Sequence, residues 1–352
     1  MSLSDPFWNM FTYDIGIDLG TANTLVCVRN IGIVIFEPSV VAFNTLTKNV
    51  IAVGIDAQKM LGKTPASIVA IRPLKDGVIS DFDATKEMIR YFIEKVHSDS
   101  SKFFKIPRPR VVIGIPSAIT EVEKKAVIDA AISAGSRKVY LIEEPMAAAI
   151  GAELPITEAR GSLIVDIGGG TTDIAVISLG GIVVDKSMRI AGDELTLDIV
   201  SYIRSKYNLM IGERTAENIK IQLGNAYPRK NHKTMEIKGR DILSGLPKVV
   251  NISEVEVREA MSNSLGIIID AISDALEEAP PELVSDITDS GIYITGGGAL
   301  IPGIKNLFSE KLHLPVNIVD DPLYSVVNGS EKILEDITIL EDIYSSEDLD
   351  DY

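Results

Sequence analysis

Apolar residues in this chain follow two different spacings, which alternate along most of its length. Short β-branched runs bounded by Gly, Asn or Pro are typical of strands, and spacings of three and four residues are typical of helices. The predicted strands cover 14–19, 24–28, 33–36, 39–43, 110–115, 138–142, 162–167, 173–178 and 182–188. Helical patterns lie between them, so the sequence predicts an α/β protein with two related sheets.

Two predicted helices have boundaries that can be read from single residues. Thr120-Glu-Val-Glu123 is a capping box, and the helix that it begins is expected to stop at Gly135. A second helix is predicted over 264–279, where Pro280-Pro281 would end it. The first helix carries an apolar face through Val122, Ala126, Ile128 and Ala130.

Three glycine-rich turns follow predicted strands and suggest phosphate chemistry. The runs that end at Asp18 and at Asp166 both pass from an aspartate into a Gly/Thr turn, and Ile292–Thr295 runs into Gly296–Gly298. Such a turn presents a carboxylate and bare backbone N–H groups, which suit a polyphosphate and a metal ion. Each turn alone could be purely structural, but the three together predict a nucleotide site between two lobes.

Composition narrows the classes of protein to consider. A chain of 352 residues is long for one core, and its net charge of −16 opposes sequence-independent nucleic-acid binding. No apolar run is long enough to span a bilayer, and the first basic residue is Arg29, so no secretory signal is expected. The single cysteine, Cys27, fits a reducing cytoplasm, and the acidic stretch 341–352 is expected to be a solvated tail.

Several motifs together resemble a known superfamily. They are DLGTAN at 18–23, EEPMAAAIGA at 143–152, DIGGGTTD at 166–173 and TGGGALIPG at 295–303. This set resembles the actin/Hsp70/sugar-kinase ATPase superfamily. Further segments resemble its MreB family of bacterial actins, among them EPSVVA at 37–42, IRPLKDGVISDF at 71–82 and DDPL at 320–323. The resemblance covers about residues 14–335.

The resemblance implies an α/β, actin-like two-lobed ATPase fold, with duplicated ribonuclease-H-like subdomains around a nucleotide cleft. The implied subdomains are IA at 1–41, 75–154 and 325–345, IB at 42–74, IIA at 155–190 and 257–324, and IIB at 191–256, with an acidic tail at 346–352. Residues 151–161 would form a hinge between the lobes.

The resemblance also implies which residues bind ATP or ADP with Mg²⁺. The nucleotide-binding positions would be Asp18, Gly20, Thr21, Ala22, Asn23, Asp166, Gly168, Gly169, Gly170, Thr172, Gly192, Glu217, Asn218, Lys220, Gly296, Gly297, Gly298 and Ala299. Asp18 and Asp166 would hold Mg²⁺ largely through waters. Glu144 would orient the attacking water with help from Thr171; the competing interpretation is a helix-start carboxylate, which Glu143 could equally be.

The implied function is that of a weak ATPase whose activity is coupled to polymerisation into membrane-associated filaments. These filaments would be antiparallel and double, would lie at the inner face of the cytoplasmic membrane, and would organise cell-wall synthesis and cell shape with elongation and morphogenesis proteins. Phe7, Trp8, Phe103 and Phe104 are the expected membrane contacts, although packing on the protein itself is the alternative. Val122 would lie at the filament interface, unless it faces the core.

Some features depart from the family or imitate other motifs. Thr196 replaces an acid near the nucleotide, and Glu331 replaces a glycine, so turnover is open to question. The alternatives are therefore a nucleotide-binding filament scaffold with little turnover, or a metabolic kinase of the same superfamily.

The segment Ala57–Thr64 fits a permissive Walker A pattern, but its residues are typical of a helix. The histidines lack metal spacing and are expected at the surface or at caps: His97, His232 and His313.

Overall fold

The chain is represented by a computed structural model that describes residues 12–98, 108–230 and 232–343, without the side chains of 341–343. It forms two compact units. Unit 1 comprises Met1–Glu158, Leu179–Ile182 and Tyr324–Tyr352, and unit 2 comprises Ala159–Ser178 and Val183–Leu323. The first boundary between the units, after Glu158, falls within the segment 151–161 in which a hinge is predicted.

The described residues form short strands and helices that alternate as the apolar spacing predicts. The strands are β1 Ile15–Leu19, β2 Asn23–Val28, β3 Gly32–Pro38, β4 Val41–Asn44, β5 Val50–Val53, β6 Ile68–Ile71, β7 Leu74–Lys75, β8 Val78–Ile79, β9 Arg110–Ile115, β10 Lys138–Glu143, β11 Ser162–Ile167, β12 Thr172–Ser178, β13 Gly181–Met188, β14 Leu209–Met210, β15 Thr234–Asp241, β16 Pro247–Ser253, β17 Ile292–Thr295 and β18 Val316–Ile318. The helices are α1 Ile55–Met60, α2 Phe82–Ser98, α3 Glu121–Ser133, α4 Glu144–Gly151, α5 Gly192–Tyr207, α6 Glu213–Leu223, α7 Glu254–Glu278, α8 Pro281–Ser290, α9 Ile304–Leu312, α10 Ser325–Glu335 and α11 Thr338–Ile343.

The main sheet of unit 1 has the strand order β10-β9-β1-β2-β3. Strand β1 pairs antiparallel with β2 and parallel with β9, and this register places Asp18 beside Leu25 and Gly114. Helices α4 and α10 of the same unit approach each other closely, and glycine at position 329 permits this. A Cβ at Gly329 would lie 1.9 Å from the carbonyl oxygen of Ala147. The sheet and these helices therefore fix the strand ends that carry the candidate site residues of unit 1.

The main sheet of unit 2 repeats this plan with the order β13-β12-β11-β17-β18. Strand β11 pairs antiparallel with β12 and parallel with β17, which in turn pairs parallel with β18. Asp166 on β11 lies opposite Asp173 on β12 and beside Thr295 on β17. The two related sheets expected from the sequence are confirmed.

Three smaller sheets complete the described structure, with the orders β5-β4-β6, β14-β15-β16 and β7-β8. The first lies almost entirely within 42–74 and the second within 191–256, the segments predicted to form subdomains IB and IIB. The division into four named subdomains stays a prediction.

Every predicted strand has its counterpart, but two statements about helices were wrong. Helix α3 begins at the predicted Thr120 capping box, yet Val122 is 79% exposed and does not belong to its core face. Helix α7 begins at Glu254 rather than at 264, because Ser253 and Glu256 form a second capping box. The hydrogen-bonded cap extends the helix over residues whose apolar spacing is weak.

The four aromatic residues expected at the membrane, Phe7, Trp8, Phe103 and Phe104, lie outside the described residues, as does the acidic tail 346–352. In the part of the chain that the structure describes, none of the helices combines the length and the apolar character that a membrane span needs.

Candidate functional site

In the turn between β1 and β2, two backbone carbonyl oxygens accept hydrogen bonds from a residue outside the turn. Ser39 holds both of them: its hydroxyl donates to the oxygen of Gly20 over 2.5 Å, and its N–H donates to the oxygen of Ala22 over 3.1 Å. The hydroxyl of Thr21 accepts a hydrogen bond of 3.0 Å from the N–H of Gly77. Within the described residues, no hydrogen bond uses the N–H groups of Gly20, Thr21 or Ala22.

The turn between β11 and β12 is built in the same way in unit 2. The oxygens of Gly168 and Gly169 accept hydrogen bonds from the N–H groups of Gly192 and Asp193, over 3.1 and 2.7 Å. The N–H of Gly168 donates to the oxygen of Thr171, and among the described residues nothing accepts from the N–H groups of Gly169, Gly170 or Thr171. Consecutive N–H groups with anchored carbonyls form an anion-binding concavity.

The aspartates that precede these turns sit in unlike surroundings. Burial raises the pKa of Asp18 to about 7, which means that the ionised carboxylate lacks full compensation within the protein. Asp166 is 7% exposed and lies against the loop that contains Gly296. A bound cation at Asp18 would restore the ionised form, because a nearby positive charge lowers the pKa of a carboxyl group.

The residues present fit a water-mediated Mg²⁺ site. No group of three or more His, Cys, Asp or Glu side chains forms a metal cage in the described part of the chain. Mg²⁺ usually keeps several waters and binds through one or two carboxylates together with substrate phosphates, so a full cage is not required. Within its own unit, each of Asp18 and Asp166 offers one carboxylate of the kind that Mg²⁺ prefers, and the N–H groups of the following turn suit the phosphates.

Glu144 begins α4 immediately after β10, and Pro145 follows it in the first turn. Its Cγ lies 3.5 Å from the position that a Cβ on Gly114 would take, and Gly114 is the strand neighbour of Asp18. Unit 1 therefore brings Glu144 and Asp18 to the same end of the sheet. Glu143 is the N-cap residue of α4 without a side-chain capping bond, so the assignment of Glu144 rather than Glu143 rests on this position.

Glu217 and Lys220 form an ion pair of 2.7 Å on α6, and Thr196 of α5 joins them. The hydroxyl of Thr196 lies 2.5 Å from Oε2 of Glu217 and accepts a hydrogen bond of 3.0 Å from Nζ of Lys220. The same Nζ donates to the oxygen of Gly192 over 2.6 Å. These contacts connect Glu217 and Lys220, two of the predicted nucleotide-binding residues, to the Gly168–Thr171 turn through the start of α5.

Asn218 does not take part in this group. Its side chain is exposed on α6, and its amide oxygen accepts a hydrogen bond from Gln222 one turn later. Its assignment as a nucleotide contact stays a prediction.

The three glycines after β17 have different reasons to be glycine. Gly296 has φ +79°, and a Cβ there would lie 2.3 Å from Oδ1 of Asp166. A Cβ on Gly298 would lie 2.3 Å from Cγ2 of Ile167, so both positions let this loop pack on β11. Gly297 is exposed and its nearest neighbour would be Leu323 at 3.6 Å. Only Gly297 therefore leaves backbone open to a flat ligand.

Other residues singled out in the sequence have structural roles. The Walker-like tract overlaps α1, Ile55–Met60, which confirms that it reads as helix. His313 caps α9, but His97 is buried: its Nδ1 bonds to the oxygen of Ile93 and its Nε2 accepts from the N–H of Tyr13. The expectation of a surface or capping role was wrong for His97, because the end of α2 packs against the segment before β1.

Glu331, the second departure from the family pattern, accepts a hydrogen bond from the backbone of Gly32, and burial raises its pKa. This hydrogen bond joins α10 to the first residue of β3.

Sequence reasoning missed Ser39, which is fully buried and anchors the first turn through two hydrogen bonds. Its hydroxyl also lies 2.8 Å from that of Thr24. The only signal was its place in the EPSVVA segment at 37–42, where a small hydroxyl residue follows a proline.

Comparison with known proteins gives consistent matches over almost the whole chain. The family model described as MreB/Mbl protein matches residues 12–342. The chain is 49% identical over 333 residues to the cell shape-determining protein MreB of Escherichia coli K12, covering 94% of this chain and 95% of that protein. It is 49% identical over 328 residues to the cell shape-determining protein Mbl of Bacillus cereus, covering 93% and 97%.

Solved structures of the same family also match this chain. MreB5 of Spiroplasma citri bound to ADP superposes with a TM-score of 0.88 at 40% identity, covering 94% of this chain and 98% of that one. The same protein bound to AMPPNP gives a TM-score of 0.87 at 41% identity, with the same coverage.

Proposed function

The chain belongs to the MreB/Mbl family, and on that premise we propose that it is an actin-like ATPase that forms cytoskeletal filaments and determines cell shape. Its relatives in Escherichia coli and Bacillus cereus are named cell shape-determining proteins. Solved MreB5 was bound to ADP and to AMPPNP, which supports an adenine nucleotide as the ligand here.

The observation that carries the nucleotide proposal is the shared construction of the two turns. In each, backbone carbonyls are bound to neighbouring elements, while three consecutive N–H groups are left without a partner in the described residues. In the second turn, the start of the long helix α5 adds the partial positive charge of its N-terminus. This arrangement suits phosphate groups and offsets the net charge of −16 locally.

The adenosine part would be bound by residues of unit 2. Glu217 and Lys220 are held in place by Thr196 and suit the hydroxyl groups of a ribose, since they supply one acceptor and one cationic donor. The open backbone at Gly297 would accept the flat base, and the neighbouring positions Gly296, Gly298 and Ala299 would shape the loop. Gly192, whose oxygen accepts from Lys220, would lie beside the phosphates.

Hydrolysis needs a positioned water, a weak base and neutralisation of the phosphate charge. We assign the positioning of the water to Glu144, with Thr171 as its helper, because Glu144 stands at a strand-to-helix turn by the Asp18 end of the sheet. Mg²⁺ bound near Asp18 and Asp166 would supply charge neutralisation. The N–H groups of the turns would hold the phosphate while water attacks.

Filament formation would depend on the nucleotide state. ATP would favour the polymerising conformation, and phosphate release would weaken it, so hydrolysis would act as a timer. Val122 is a suitable contact between antiparallel filaments because 79% of this valine is exposed on α3. Membrane attachment at the inner face of the cell membrane would use Phe7, Trp8, Phe103 and Phe104, and cell-wall elongation and morphogenesis proteins would be the partners.

Pelleting with ATP and anionic lipid vesicles tests the proposal. The wild-type chain should sediment and form filaments visible by electron microscopy with Mg·ATP, and Phe103→Ala/Phe104→Ala should lose the vesicle-dependent part alone. Val122→Glu should reduce the pairing of filaments, and Ile132→Glu, which alters an exposed residue at the other end of α3, is the matched control. No filaments under any nucleotide would refute the cytoskeletal function.

Phosphate release measured on the same samples distinguishes the scaffold. Filaments that form with ATP but release no phosphate would identify a nucleotide-binding scaffold, the alternative that Thr196 keeps open. Phosphate transfer to a small acceptor such as a sugar would instead identify a metabolic kinase.

A further inference from the structure

A groove in unit 2 combines apolar walls with two cations that have no acidic partner among the described residues. It encloses about 600 Å³ between α7 and α9. One wall is a single stripe of α7, and the other comes mainly from α9. The charge, the walls and the opening of the groove depend on Arg258, Leu265, Gly266, Ile269, Leu307 and Lys311.

Arg258 is the unusual member of this groove. Its side chain is half-buried, and its Nη1 atom is buried without any hydrogen-bond partner. Among the described residues, no ion pair includes Arg258 or Lys311, although the chain carries 50 acidic and 34 basic residues. A buried guanidinium N–H without an acceptor is costly, so a ligand with carboxylate groups would be favoured here.

The walls between these cations are apolar. Leu265 and Ile269 on α7 are buried, and Leu307 on α9 faces them across the groove. Glu259 also lines the groove, but its carboxylate accepts a hydrogen bond of 2.7 Å from the hydroxyl of Tyr202. An occupant should therefore carry apolar or aromatic side chains as well as carboxylates.

Gly266 keeps the groove open in the middle of a long helix. Nothing lies within 4 Å of the Cβ that another residue would place there. Packing does not require this glycine, and a glycine in a helix interior is less favourable than alanine by about 1 kcal/mol. A bound chain that approaches the helix backbone would explain the missing side chain.

One segment of this protein has the required chemistry. Residues 344–352 read Tyr-Ser-Ser-Glu-Asp-Leu-Asp-Asp-Tyr, in which four acidic residues are interleaved with one leucine and two tyrosines. This segment lies outside the described residues. Its charge complements Arg258 and Lys311, and its apolar residues match the walls. We propose that residues 344–352 dock in the groove between α7 and α9.

Photo-crosslinking in the full chain tests the docking directly. Benzoylphenylalanine is introduced at Leu349, the protein is irradiated, and crosslinked peptides are mapped by mass spectrometry. The expected products join position 349 to peptides of α7 or α9. Mixing isotopically light and heavy protein shows whether the segment comes from the same copy or from another; docking predicts a groove crosslink in either case.

Matched variants show whether the groove itself is responsible. Arg258→Gln should lower the crosslink yield about tenfold, the usual weight of a hydrogen bond between charged groups. Arg214→Gln removes the same charge from an exposed position of α6 and should leave the yield unchanged. Gly266→Leu should fill the groove and abolish the crosslink without loss of thermal stability, since the added side chain meets open space.

Three outcomes would overturn the docking. They are crosslinks that map outside α7 and α9, a yield that responds equally to Arg258→Gln and Arg214→Gln, or a crosslink retained in a folded Gly266→Leu variant. Thermal unfolding of each variant identifies any that fails to fold. For such a variant, the exposed Lys311→Gln provides a second test of the same charge contact.

Discussion

The hydroxyl of Thr196 lies 2.5 Å from Oε2 of Glu217 and accepts a hydrogen bond from Nζ of Lys220. The position thus connects both members of an ion pair without adding charge of its own. An acid at the same place would set a second carboxylate against Glu217, with Lys220 shared between the two. The threonine therefore holds Glu217 and Lys220 together without a second carboxylate.

Replacing Thr196 by valine tests this connection. Thr196→Val keeps the shape but leaves Glu217 and Lys220 with one fewer partner, so we expect the Kd for ATP to rise about fivefold. Titration with a fluorescent ATP analogue gives the Kd. Thr196→Ser restores the hydroxyl and should bind within about twofold of wild type. Equal binding by the valine and serine variants would mean that the pair needs no support from α5.

The Gly296–Gly298 loop offers a matched pair of substitutions. Gly298→Ala would place Cβ 2.3 Å from Ile167, so we expect a loss of about 1–3 kcal/mol in the free energy of unfolding. Gly297→Ala meets nothing closer than 3.6 Å and should unfold like wild type. If the base lies over this loop, Gly297→Ala should nevertheless weaken ATP binding. Urea unfolding and ATP titration of both variants separate the two effects.

A stable Gly298→Ala variant would contradict the packing on β11. Normal ATP affinity in Gly297→Ala would exclude this glycine from contact with the base.

Much of the fold could be predicted because apolar spacing and turn residues determine it locally. Every predicted strand is present, and the repeated strand-Asp-turn pattern correctly indicates two sheets of the same plan. The start of α7 was missed although Ser253-Glu-Val-Glu256 is the same capping-box signature that marks the start of α3, because the boundary was taken from apolar spacing alone. Val122 was included in the apolar face of α3, with a core position and a filament contact both left open, because one apolar residue within a helix does not reveal how far the packed surface extends.

The sequence predicted which residues belong to the candidate site better than it predicted why each residue is needed there. The glycines at 296 and 298 were expected to admit a ligand, whereas their Cβ positions would collide with β11 of the same unit. Ser39 was missed altogether, because its two hydrogen bonds reach a turn that lies almost twenty positions earlier in the chain. Contacts between distant segments, unlike spacing within one segment, leave little trace in a single sequence.

Glutamine substitutions at the start of α4 distinguish the two neighbouring acids. Glu144→Gln should keep ATP binding but should release phosphate at about one tenth of the wild-type rate or below, since the amide cannot act as a weak base toward water. Glu143→Gln is the control, because it removes the same charge from the N-cap position one residue earlier. A phosphate-release assay under saturating Mg·ATP measures both. Equal loss in both variants would assign the effect to charge at the helix start rather than to Glu144.

Asp18→Asn should stabilise the protein without nucleotide. Burial raises the pKa of Asp18 from 3.8 to about 7, so at pH 8 the folded state carries an ionised carboxylate that the unfolded state solvates better. We expect the variant to gain about 2–4 kcal/mol in the free energy of unfolding at pH 8. The gain should shrink as pH falls below 7 and vanish below the ordinary pKa of 3.8, where both states are protonated. Denaturant unfolding at several pH values measures it.

Mg·ATP should reverse this order of stability. If wild type binds the cation near an ionised Asp18, as we propose, ligand should raise its melting temperature. Asp18→Asn, which lacks that charge, should gain much less. The matched control is Asp185→Asn, an exposed aspartate on β13, which should follow wild type with and without ligand. A variant that is no more stable than wild type at pH 8 would show that the burial of Asp18 is compensated within the protein, and the cation would then have no deficit to correct.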